Sequence, residues 1–566
     1  MACRFTAARP WCGRRAEDGM NGGEALVETL VAHGVEHAFT VPGESFLTVL
    51  EALRQRQNRV RLVLTRHESG GTFAADAYAK LARKPAAVFV SRGPGATNAS
   101  IGVHTAMQDS TPLLLFVGHV RVRSKGREAF QEADHHRLFG SLAKAVIEPA
   151  SAKDIAECTA RAWRQATAGR PGPVVVVLPR DLTEADAGEG PLPRPVPRPA
   201  AGPSAEAVSA AAQAVAAAKR PLVLVGECVS YEGAQAALVA FAEASGAPVI
   251  AAYRRQDAFP NLHPAYAGHL EINRVGWQKR LLDEADLLVA VGSRLDAITS
   301  EEYTLPRAHQ RLIMLHPEAE VVSRFQAEPG LVSDLAPALG ALTAATGRPP
   351  AERLAWRDRL HQAYLDLSTP GSVPVHGEVD LARVTAETMR QVGEEAVLLT
   401  DGGSFARWIH RYYRFRRPYT QAGPAVGAMG YAVPGAVGAI LARPDVPVIA
   451  FSGDGSFLMT GQELSTAVEQ RLPIRVVVCD NQVHGSILQG QRTAYGEAGI
   501  YATRITGPDF AALARAYGCA GFTVERTDDY PAALAQALAH PGPALLHLKT
   551  DDRDIVPFGA GIDDKV

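Results

Sequence analysis

The sequence predicts an α/β protein built from three doubly wound parallel-sheet domains. Short runs rich in valine, leucine and isoleucine alternate with amphipathic, alanine-rich segments along most of the chain, a pattern typical of βαβ units. At 566 residues the chain is longer than one hydrophobic core normally serves, so several domains are expected. Two connecting segments interrupt the pattern, the proline-rich residues 188–203 and the partly helical residues 346–377.

These connectors place the predicted domains at residues 20–187, 204–345 and 378–552, and we expect residues 1–19 to form a disordered tail. The two outer domains resemble each other. Ala86–Asn98 and Pro447–Met459 each combine an apolar strand with a serine and two closely spaced glycines, and a second apolar strand follows each about twenty residues later. Both features repeat at an offset of about 360 residues, which indicates two related domains flanking a third.

The composition excludes several classes of protein. A net charge of −2 provides no basic surface for nucleic acid or for an anionic membrane. No apolar run reaches the roughly 20 residues that span a bilayer. The six cysteines are scattered without a CxxC pair, which argues against a disulfide framework or a zinc site. We therefore expect a cytoplasmic protein without nucleic-acid or membrane partners.

A carboxylate and an amide follow two neighbouring predicted strands of the last domain. Asp454 lies between Gly453 and Gly455 after the run PVIAF, and Asn481 closely follows the run IRVVVC. Adjacent parallel strands end at the same sheet edge, so these side chains are expected to meet there. Carboxylate, amide and main-chain oxygens suit Mg²⁺ or Ca²⁺, and glycine N–H groups can cradle phosphate. The residues alone leave two interpretations, a metal–diphosphate site or two polar turns.

A helix is expected directly after this glycine turn. Thr460 and Glu463 have the spacing of a capping box, in which each side chain satisfies a backbone N–H near the helix start. The helix would return the chain to the next parallel strand.

The glycine–aspartate turn and the closing asparagine resemble the thiamine-diphosphate (ThDP) motif. From about residue 20 to 550 the chain resembles the acetolactate synthase branch of the ThDP enzymes, which implies pyrimidine-binding, central and diphosphate-binding domains in that order. The resemblance implies that Asp454, Asn481 and the main-chain carbonyl of Val483 hold Mg²⁺. The family motif usually ends in two asparagines, whereas the first of this pair is Asp480 here.

The resemblance also assigns residues around the cofactor. Glu68 follows the strand RLVL and opens an alanine-rich helix; by the family match it is the glutamate that bonds the aminopyrimidine and so promotes loss of the C2 proton. From the residues alone, Glu68 is equally an acid that favours the helix dipole. Further residues fall on cofactor-contacting positions of the family: Pro42, Gly403, Ser404, Gly427, Met429, Gly453, Gly455 and Ser456.

The substrate side departs from the family more than the cofactor side. The match places Phe130 and Gln131 beside the substrate, but Gly490 replaces a bulky tryptophan, which predicts a larger or differently selective acceptor pocket. The segments that meet FAD in the family are changed to VGEC, with Glu227 and Cys228, and to AGHLEIN. These changes favour a protein without FAD, although the sequence leaves FAD binding open.

The resemblance implies a ThDP- and Mg²⁺-dependent enzyme that decarboxylates a 2-oxo acid and passes the acyl group to a second carbonyl. Two alternatives stay open: a simple 2-oxo acid decarboxylase, with proton transfer by His104, His135 or His484, and a non-catalytic paralogue of the fold. The family's assembly implies a homodimer or homotetramer with active sites at the subunit interface.

Overall fold

The computed structural model describes residues 19–557 except 199, 273 and 275. Three parallel six-stranded sheets with interleaved helices form three successive domains, which confirms the predicted fold class. Nearly all of the predicted disordered tail, residues 1–18, lies outside the described residues. In the part of the chain that the structure describes, no helix is long and apolar enough to cross a membrane.

The N-terminal domain contains the first six strands and seven helices of the described chain. The strands are β1 (His37–Thr40), β2 (Arg61–Leu64), β3 (Ala86–Ser91), β4 (Leu113–His119), β5 (Ala145–Ile147) and β6 (Val174–Pro179). The helices are α1 (Gly22–Ala32), α2 (Leu47–Gln55), α3 (Glu68–Ala82), α4 (Arg92–Asp109), α5 (His135–Phe139), α6 (Ile155–Thr167) and α7 (Arg180–Glu184).

The central domain has the same alternation of strands and helices. Its strands are β7 (Pro221–Val225), β8 (Val249–Ala251), β9 (Tyr266–His269), β10 (Leu287–Val291), β11 (Arg311–His316) and β12 (Gly330–Val332). Its helices are α8 (Ala205–Ala217), α9 (Glu227–Glu232), α10 (Gln235–Ser245), α11 (Gly276–Glu284), α12 (Ala319–Arg324) and α13 (Leu335–Ala345), followed by α14 (Ala351–Leu367) in the connector.

The C-terminal domain carries the predicted glycine–aspartate turn between its third strand and the following helix. Its strands are β13 (Val397–Thr400), β14 (Gln421–Ala422), β15 (Val448–Gly453), β16 (Arg475–Asp480), β17 (Ala520–Val524) and β18 (Ala544–Lys549). Its helices are α15 (Leu381–Val392), α16 (Ala406–Tyr412), α17 (Ala432–Ala442), α18 (Asp454–Thr460), α19 (Leu464–Glu469), α20 (Gly485–Tyr495), α21 (Phe510–Ala516) and α22 (Tyr530–Ala539).

The two outer sheets have identical topology. Their strand orders are β2-β1-β3-β4-β6-β5 and β14-β13-β15-β16-β18-β17, so each N-terminal strand has a counterpart at the same sheet position. The strands that carry the repeated sequence pattern, β3 and β15, occupy equivalent central positions. The central sheet differs, with the order β12-β11-β10-β7-β8-β9. Two related domains therefore flank a third of different topology.

The outer domains share one hydrophobic core through α3 and α17. The helices approach so closely that an ideal Cβ on Gly438 of α17 would lie 1.9 Å from the carbonyl oxygen of Ala74 in α3. A polar contact completes this interface: the Tyr431 hydroxyl donates to Asp76 Oδ2 at 2.7 Å, and Lys80 Nζ lies 2.7 Å from the same oxygen. The contact fixes the relative position of the two domains within one chain.

Candidate active site

The turn after β15 requires glycine for steric reasons. An ideal Cβ at Gly453 would lie 3.1 Å from the Phe405 ring, and one at Gly455 would lie 3.0 Å from the His484 ring. The Ser456 hydroxyl donates to the carbonyl oxygen of Gly402 at 3.1 Å, which fastens the turn to the loop after β13. Because these residues are small, the backbone rather than side chains lines this sheet edge.

Asp454 is buried and held by two main-chain donors. Its Oδ1 accepts a hydrogen bond from the N–H of Gly455 at 2.8 Å, and its Oδ2 accepts one from the N–H of Gln482 at 2.8 Å. Burial, together with the nearby charge of Asp480, raises the pKa of Asp454 to about 6. A divalent cation at this carboxylate would favour the ionised form, because opposite charge offsets the loss of hydration.

Asn481 and Val483 lie beside Asp454 because β15 and β16 are neighbouring parallel strands, with Gly453 opposite Cys479. The chain bends immediately after the strand, where Gln482 has a φ of 57°. The Asn481 side-chain oxygen accepts a hydrogen bond from the N–H of Val483 at 3.3 Å. The predicted metal ligands therefore lie at one sheet edge, Asp454 after β15 and Asn481 and Val483 after β16.

Asp480, the departure from the family motif, has a separate structural role. Its Oδ2 accepts hydrogen bonds from His547 Nε2 at 2.8 Å and from Lys549 Nζ at 2.9 Å, both on the adjacent strand β18. Burial alone would raise the pKa of Asp480, but the two basic partners lower it below its usual value. The extra carboxylate is thus neutralised within the sheet.

A cavity of about 240 Å³ at this edge collects all ten predicted residues of the C-terminal domain. They are Gly403, Ser404, Gly427, Met429, Gly453, Asp454, Gly455, Ser456, Asn481 and Val483. Other described residues of the lining were not predicted from the sequence, among them Leu381, Thr550, Asp554 and Ile555. These come from segments far apart in the sequence, and no local motif marks them.

The predicted capping box is wrong. The Thr460 hydroxyl donates to the carbonyl oxygen of Gly430 at 2.6 Å rather than capping a helix. The buried Glu463 accepts hydrogen bonds from the N–H groups of Arg66 and His67 at 2.9 and 3.0 Å. Glu463 therefore stabilises the turn that precedes Glu68 in the other domain, a contact that local spacing cannot reveal.

Glu68 lies at a second sheet edge, in the N-terminal domain. It is the first residue of α3, and its Oε2 accepts a hydrogen bond from Asn98 Nδ2 at 2.9 Å. Gly95 allows the close approach of α4, since an ideal Cβ there would lie 3.2 Å from Glu68 Oε1. The GPGATN segment thus holds the candidate catalytic carboxylate.

The start of α4 also gathers the other predicted residues of this domain. The carbonyl of Gln131 accepts a hydrogen bond from the N–H of Gly93 at 2.9 Å, and the ring of Phe130, which is 78% exposed, lies 6.0 Å from the Arg92 guanidinium. Pro42 is exposed in the turn after β1. These residues and Glu68 are absent from the described lining of the 240 Å³ cavity, so the candidate residues form two groups at two sheet edges.

We use the name diphosphate half-site for the ten cavity residues of the C-terminal domain, and activating half-site for Glu68, Pro42, Phe130 and Gln131. Both half-sites lie at the carboxyl ends of strands in sheets of the same topology: Glu68 follows β2 and is held by Asn98 of α4, whereas Asp454 follows β15. Ligands of doubly wound sheets bind at such edges.

Comparisons with known proteins agree with this arrangement. Models of the thiamine pyrophosphate enzyme family match residues 20–138 (N-terminal TPP binding domain), 208–342 (central domain) and 401–548 (C-terminal TPP binding domain). Thiamine pyrophosphate (TPP) is another name for thiamine diphosphate.

Several curated proteins are similar over nearly their whole length. The acetolactate synthase isozyme 2 large subunit of Escherichia coli is 33% identical, over 96% of this chain and 98% of its own. A probable acetolactate synthase large subunit of Methanocaldococcus jannaschii is 30% identical, over 95% and 93% of the two chains. The acetolactate synthase large subunit of Parasynechococcus marenigrum is 31% identical, over 94% and 88%. The chain therefore belongs to the thiamine pyrophosphate enzyme family, in the branch of the acetolactate synthase large subunits.

Proposed function

We propose that the protein is a ThDP- and Mg²⁺-dependent enzyme that decarboxylates a 2-oxo acid and joins the acyl group to a second carbonyl compound. The observation that carries this proposal is the pair of complementary half-sites: Glu68 at one sheet edge, and Asp454 with Asn481 at the other. A paralogue without activity would not need to keep both half-sites intact.

The residues of the diphosphate half-site fit the proposed cofactor. Asp454, Asn481 and the carbonyl of Val483 would hold Mg²⁺, because hard oxygen donors suit that ion. The backbone at Gly453 and Gly455 would approach the phosphates, since neighbouring rings leave little room for side chains there. When bound, ThDP supplies the carbanion chemistry, and the protein supplies position and electrostatics.

Glu68 would hold and return a proton at the far end of the cofactor. Asn98 orients the carboxyl through Oε2, and we assign the transferred proton to Oε1. Glu463 keeps the preceding turn in place by binding the N–H groups of Arg66 and His67. Positioning of this kind converts a weak proton-transfer group into an efficient one.

We propose that the active unit is a homodimer, or a homotetramer built from such dimers, in which the activating half-site of one subunit meets the diphosphate half-site of another. Large apolar side chains are exposed beside the diphosphate half-site: Leu458 (47%), Met459 (52%) and Ile487 (58%). Phe130 of the activating half-site is 78% exposed. Exposed apolar surface of this kind is typical of protein interfaces.

The acceptor substrate would lie near α20 and the Phe130–Gln131 segment. Gly490 of α20 takes the place of a bulky residue, and among the described residues no atom lies within 4 Å of an ideal Cβ there. This open space supports an acceptor pocket wider than one closed by tryptophan.

Simple decarboxylation is a second candidate, favoured by the position of His484. His484 lies at the diphosphate half-site, with its Nδ1 3.4 Å from an ideal Cβ at Gly455. A histidine in that position could deliver the proton that replaces CO₂. The products of the reaction distinguish the two functions.

We also propose a reducing, cytoplasmic location and no partner beyond small 2-oxo acids and copies of the chain. Cys158, Cys228, Cys479 and Cys519 are buried and free, which supports a compartment where thiols stay reduced.

The proposed function is tested by incubating the protein with ThDP, Mg²⁺ and a series of 2-oxo acids that begins with pyruvate. We expect CO₂ release and an acyloin-type product, both lost in Glu68→Gln. The matched control is Glu352→Gln, which changes an exposed first-turn glutamate of α14 and should leave turnover unchanged. Aldehyde as the sole product would establish the decarboxylase instead, and absence of turnover with bound cofactor would contradict the proposal for these substrates.

A further inference from the structure

The central sheet has a switch point at the neighbouring strands β7 and β10, where the strand order reverses. In open α/β sheets, dinucleotides such as FAD bind in the crevice beyond the carboxyl ends of such strands. In this chain that position is formed by Gly226–Glu227 after β7 and by Gly292–Arg294 after β10. The fit of a dinucleotide can therefore be judged from these residues.

The two loops at the switch point pack directly on each other. The N–H of Gly226 donates to the carbonyl of Val291 at 2.9 Å, and the N–H of Cys228 donates to the carbonyl of Gly292 at 3.0 Å. An ideal Cβ on Gly226 would lie only 2.3 Å from the Cα of Ser293. The main chain itself thus fills the inner part of the crevice.

Side chains close the outer part and join it to the N-terminal domain. Arg294 Nε lies 3.4 Å from Glu227 Oε1, with 14% and 7% of the two side chains exposed. The same Glu227 oxygen accepts a hydrogen bond from the Ser110 hydroxyl at 3.3 Å. Arg294 donates to the Gln108 side chain at 3.0 Å and to its carbonyl at 2.8 Å. This cluster, which we call the switch-point joint, fixes the end of α4 to the central sheet.

Glu227 also occupies the start of the helix after β7. Phosphates bind where a loop presents N–H groups at the start of a helix, but the first residue of α9 is the acidic Glu227. The cavity that remains beside Glu227, Lys80 and Arg255 measures about 40 Å³. Ligand pockets usually measure about 300–1,000 Å³, so the space admits neither an adenine nor a flavin ring.

Two residues of the other changed segment, AGHLEIN, take part in a second interdomain contact. Glu271 Oε1 lies 3.1 Å from His269 Nε2 and 3.0 Å from Nδ1 of His410, which belongs to α16 of the C-terminal domain. His410 Nε2 in turn lies 3.1 Å from the Thr400 hydroxyl at the end of β13. The central domain is therefore bound to both neighbours through the residues that differ from the family pattern.

From these contacts we infer that the switch point of the central sheet is a permanent interdomain joint and that no FAD or other dinucleotide binds there. The inference concerns the central domain and stands independently of the reaction proposed above. It assigns the central domain a mechanical role: its hydrogen bonds to Gln108 and Ser110 on one side and to His410 on the other hold the two outer domains at fixed positions.

The first test is a binding measurement on the full-length protein. Protein purified without added flavin is denatured and its extract examined for flavin fluorescence, and the native protein is titrated with FAD by calorimetry. We expect no flavin in the extract and no saturable heat. A parallel titration with ThDP and Mg²⁺ must saturate, which establishes a folded protein without reference to activity. Flavin at one equivalent per chain, or saturable FAD binding, would overturn the inference.

The second test examines the joint itself by a double-mutant cycle. We expect Glu227→Ala and Arg294→Ala each to lower the melting temperature. The double variant should lose less than the sum of the two single effects, because both substitutions remove the Glu227–Arg294 pair, while each also removes its own hydrogen bonds to Ser110 or Gln108. Glu320→Ala is the matched control. Glu320 pairs with Arg324 in the same domain, and 80% of the Glu320 side chain and 54% of the Arg324 side chain are exposed. Melting of the Glu227 and Arg294 variants at the parent temperature would contradict a joint at the switch point.

Discussion

At the scale of single residues, the environment separates the roles of two neighbouring carboxylates. Asp454 is bound by main-chain N–H groups and keeps its charge available at the cavity. Asp480 is bound by His547 and Lys549 and is neutralised within the sheet. The same residue type thus serves a ligand site in one position and the fold in the other.

We expect Asp454→Asn to raise the dissociation constant of ThDP measured in Mg²⁺ by at least about tenfold, because the substitution removes the proposed charged ligand of the metal. The thermal stability of the cofactor-free protein should change little. Calorimetric titration with ThDP and a melting curve without it measure the two effects separately.

Asp480→Asn is the control for this prediction, because it should lower the stability of the protein more than its affinity for ThDP. Loss of the carboxylate leaves His547 and Lys549 without their shared partner, so the free energy of unfolding should fall by about 3 kcal/mol. ThDP affinity should change much less than in Asp454→Asn at a temperature where the variant is folded, because loss of the Asp480 charge lowers the pKa of Asp454 but leaves the proposed metal ligands in place. Weak cofactor binding by Asp480→Asn with normal binding by Asp454→Asn would show that the ligand assignment is wrong.

Gly490→Trp tests the proposed acceptor pocket. We expect the fold to tolerate the substitution, since the described neighbours leave space at this position. The larger side chain should lower kcat/KM for the bulkiest accepted second substrate by ~10-fold relative to the smallest one. Competition between two acceptors, read from the product ratio, measures this selectivity, and an unchanged ratio would place Gly490 away from the acceptor.

At the scale of helices and strands, the repeated strand–glycine pattern was sufficient to predict two related sheets and the shared edge at which Asp454 and Asn481 lie. All of the information for that prediction is local, because β15, its turn and β16 are consecutive in the sequence.

Contacts across domains leave no local pattern in the sequence. The Glu463 carboxylate binds N–H groups nearly 400 residues away in the sequence, at Arg66 and His67, and the pair of Glu227 and Arg294 joins two loops and a distant helix.

The contact between α3 and α17 makes a prediction at this scale. Gly438→Ala would bring a methyl group within 1.9 Å of the Ala74 carbonyl, so the two helices must separate. We expect the free energy of unfolding to fall by roughly 2 kcal/mol or more, measured by denaturant unfolding.

Gly340→Ala in α13 supplies the matched control. In the described part of the chain no atom lies within 4 Å of an ideal Cβ at this exposed helical glycine. Alanine favours helix more than glycine does, so we expect a gain of about 0.5–1 kcal/mol. Equal effects of the two substitutions would mean that the close approach of α3 and α17 does not decide the stability of this interface.

At the scale of the whole molecule, the central question is how two half-sites on one chain make one active site. Each outer domain presents its functional residues at the carboxyl edge of the same sheet topology. The helices α3 and α17 and the switch-point joint hold the domains of one chain at fixed positions, and in the proposed assembly a second subunit completes the site. Exposed apolar residues beside both half-sites support that arrangement.

The most direct test combines two variants that are each inactive, Glu68→Gln and Asp454→Asn. Mixed dimers with one subunit of each kind are isolated by different affinity tags, and their turnover is compared with that of the parent. If Glu68 of one subunit works with Asp454 of the other, each mixed dimer contains one intact site and one doubly altered site, and turnover should return to about half of the parent value. If both residues act within one chain, every site in the mixed dimer contains one altered residue. Mixed dimers would then be as inactive as the single variants, and that result would contradict the proposed assembly.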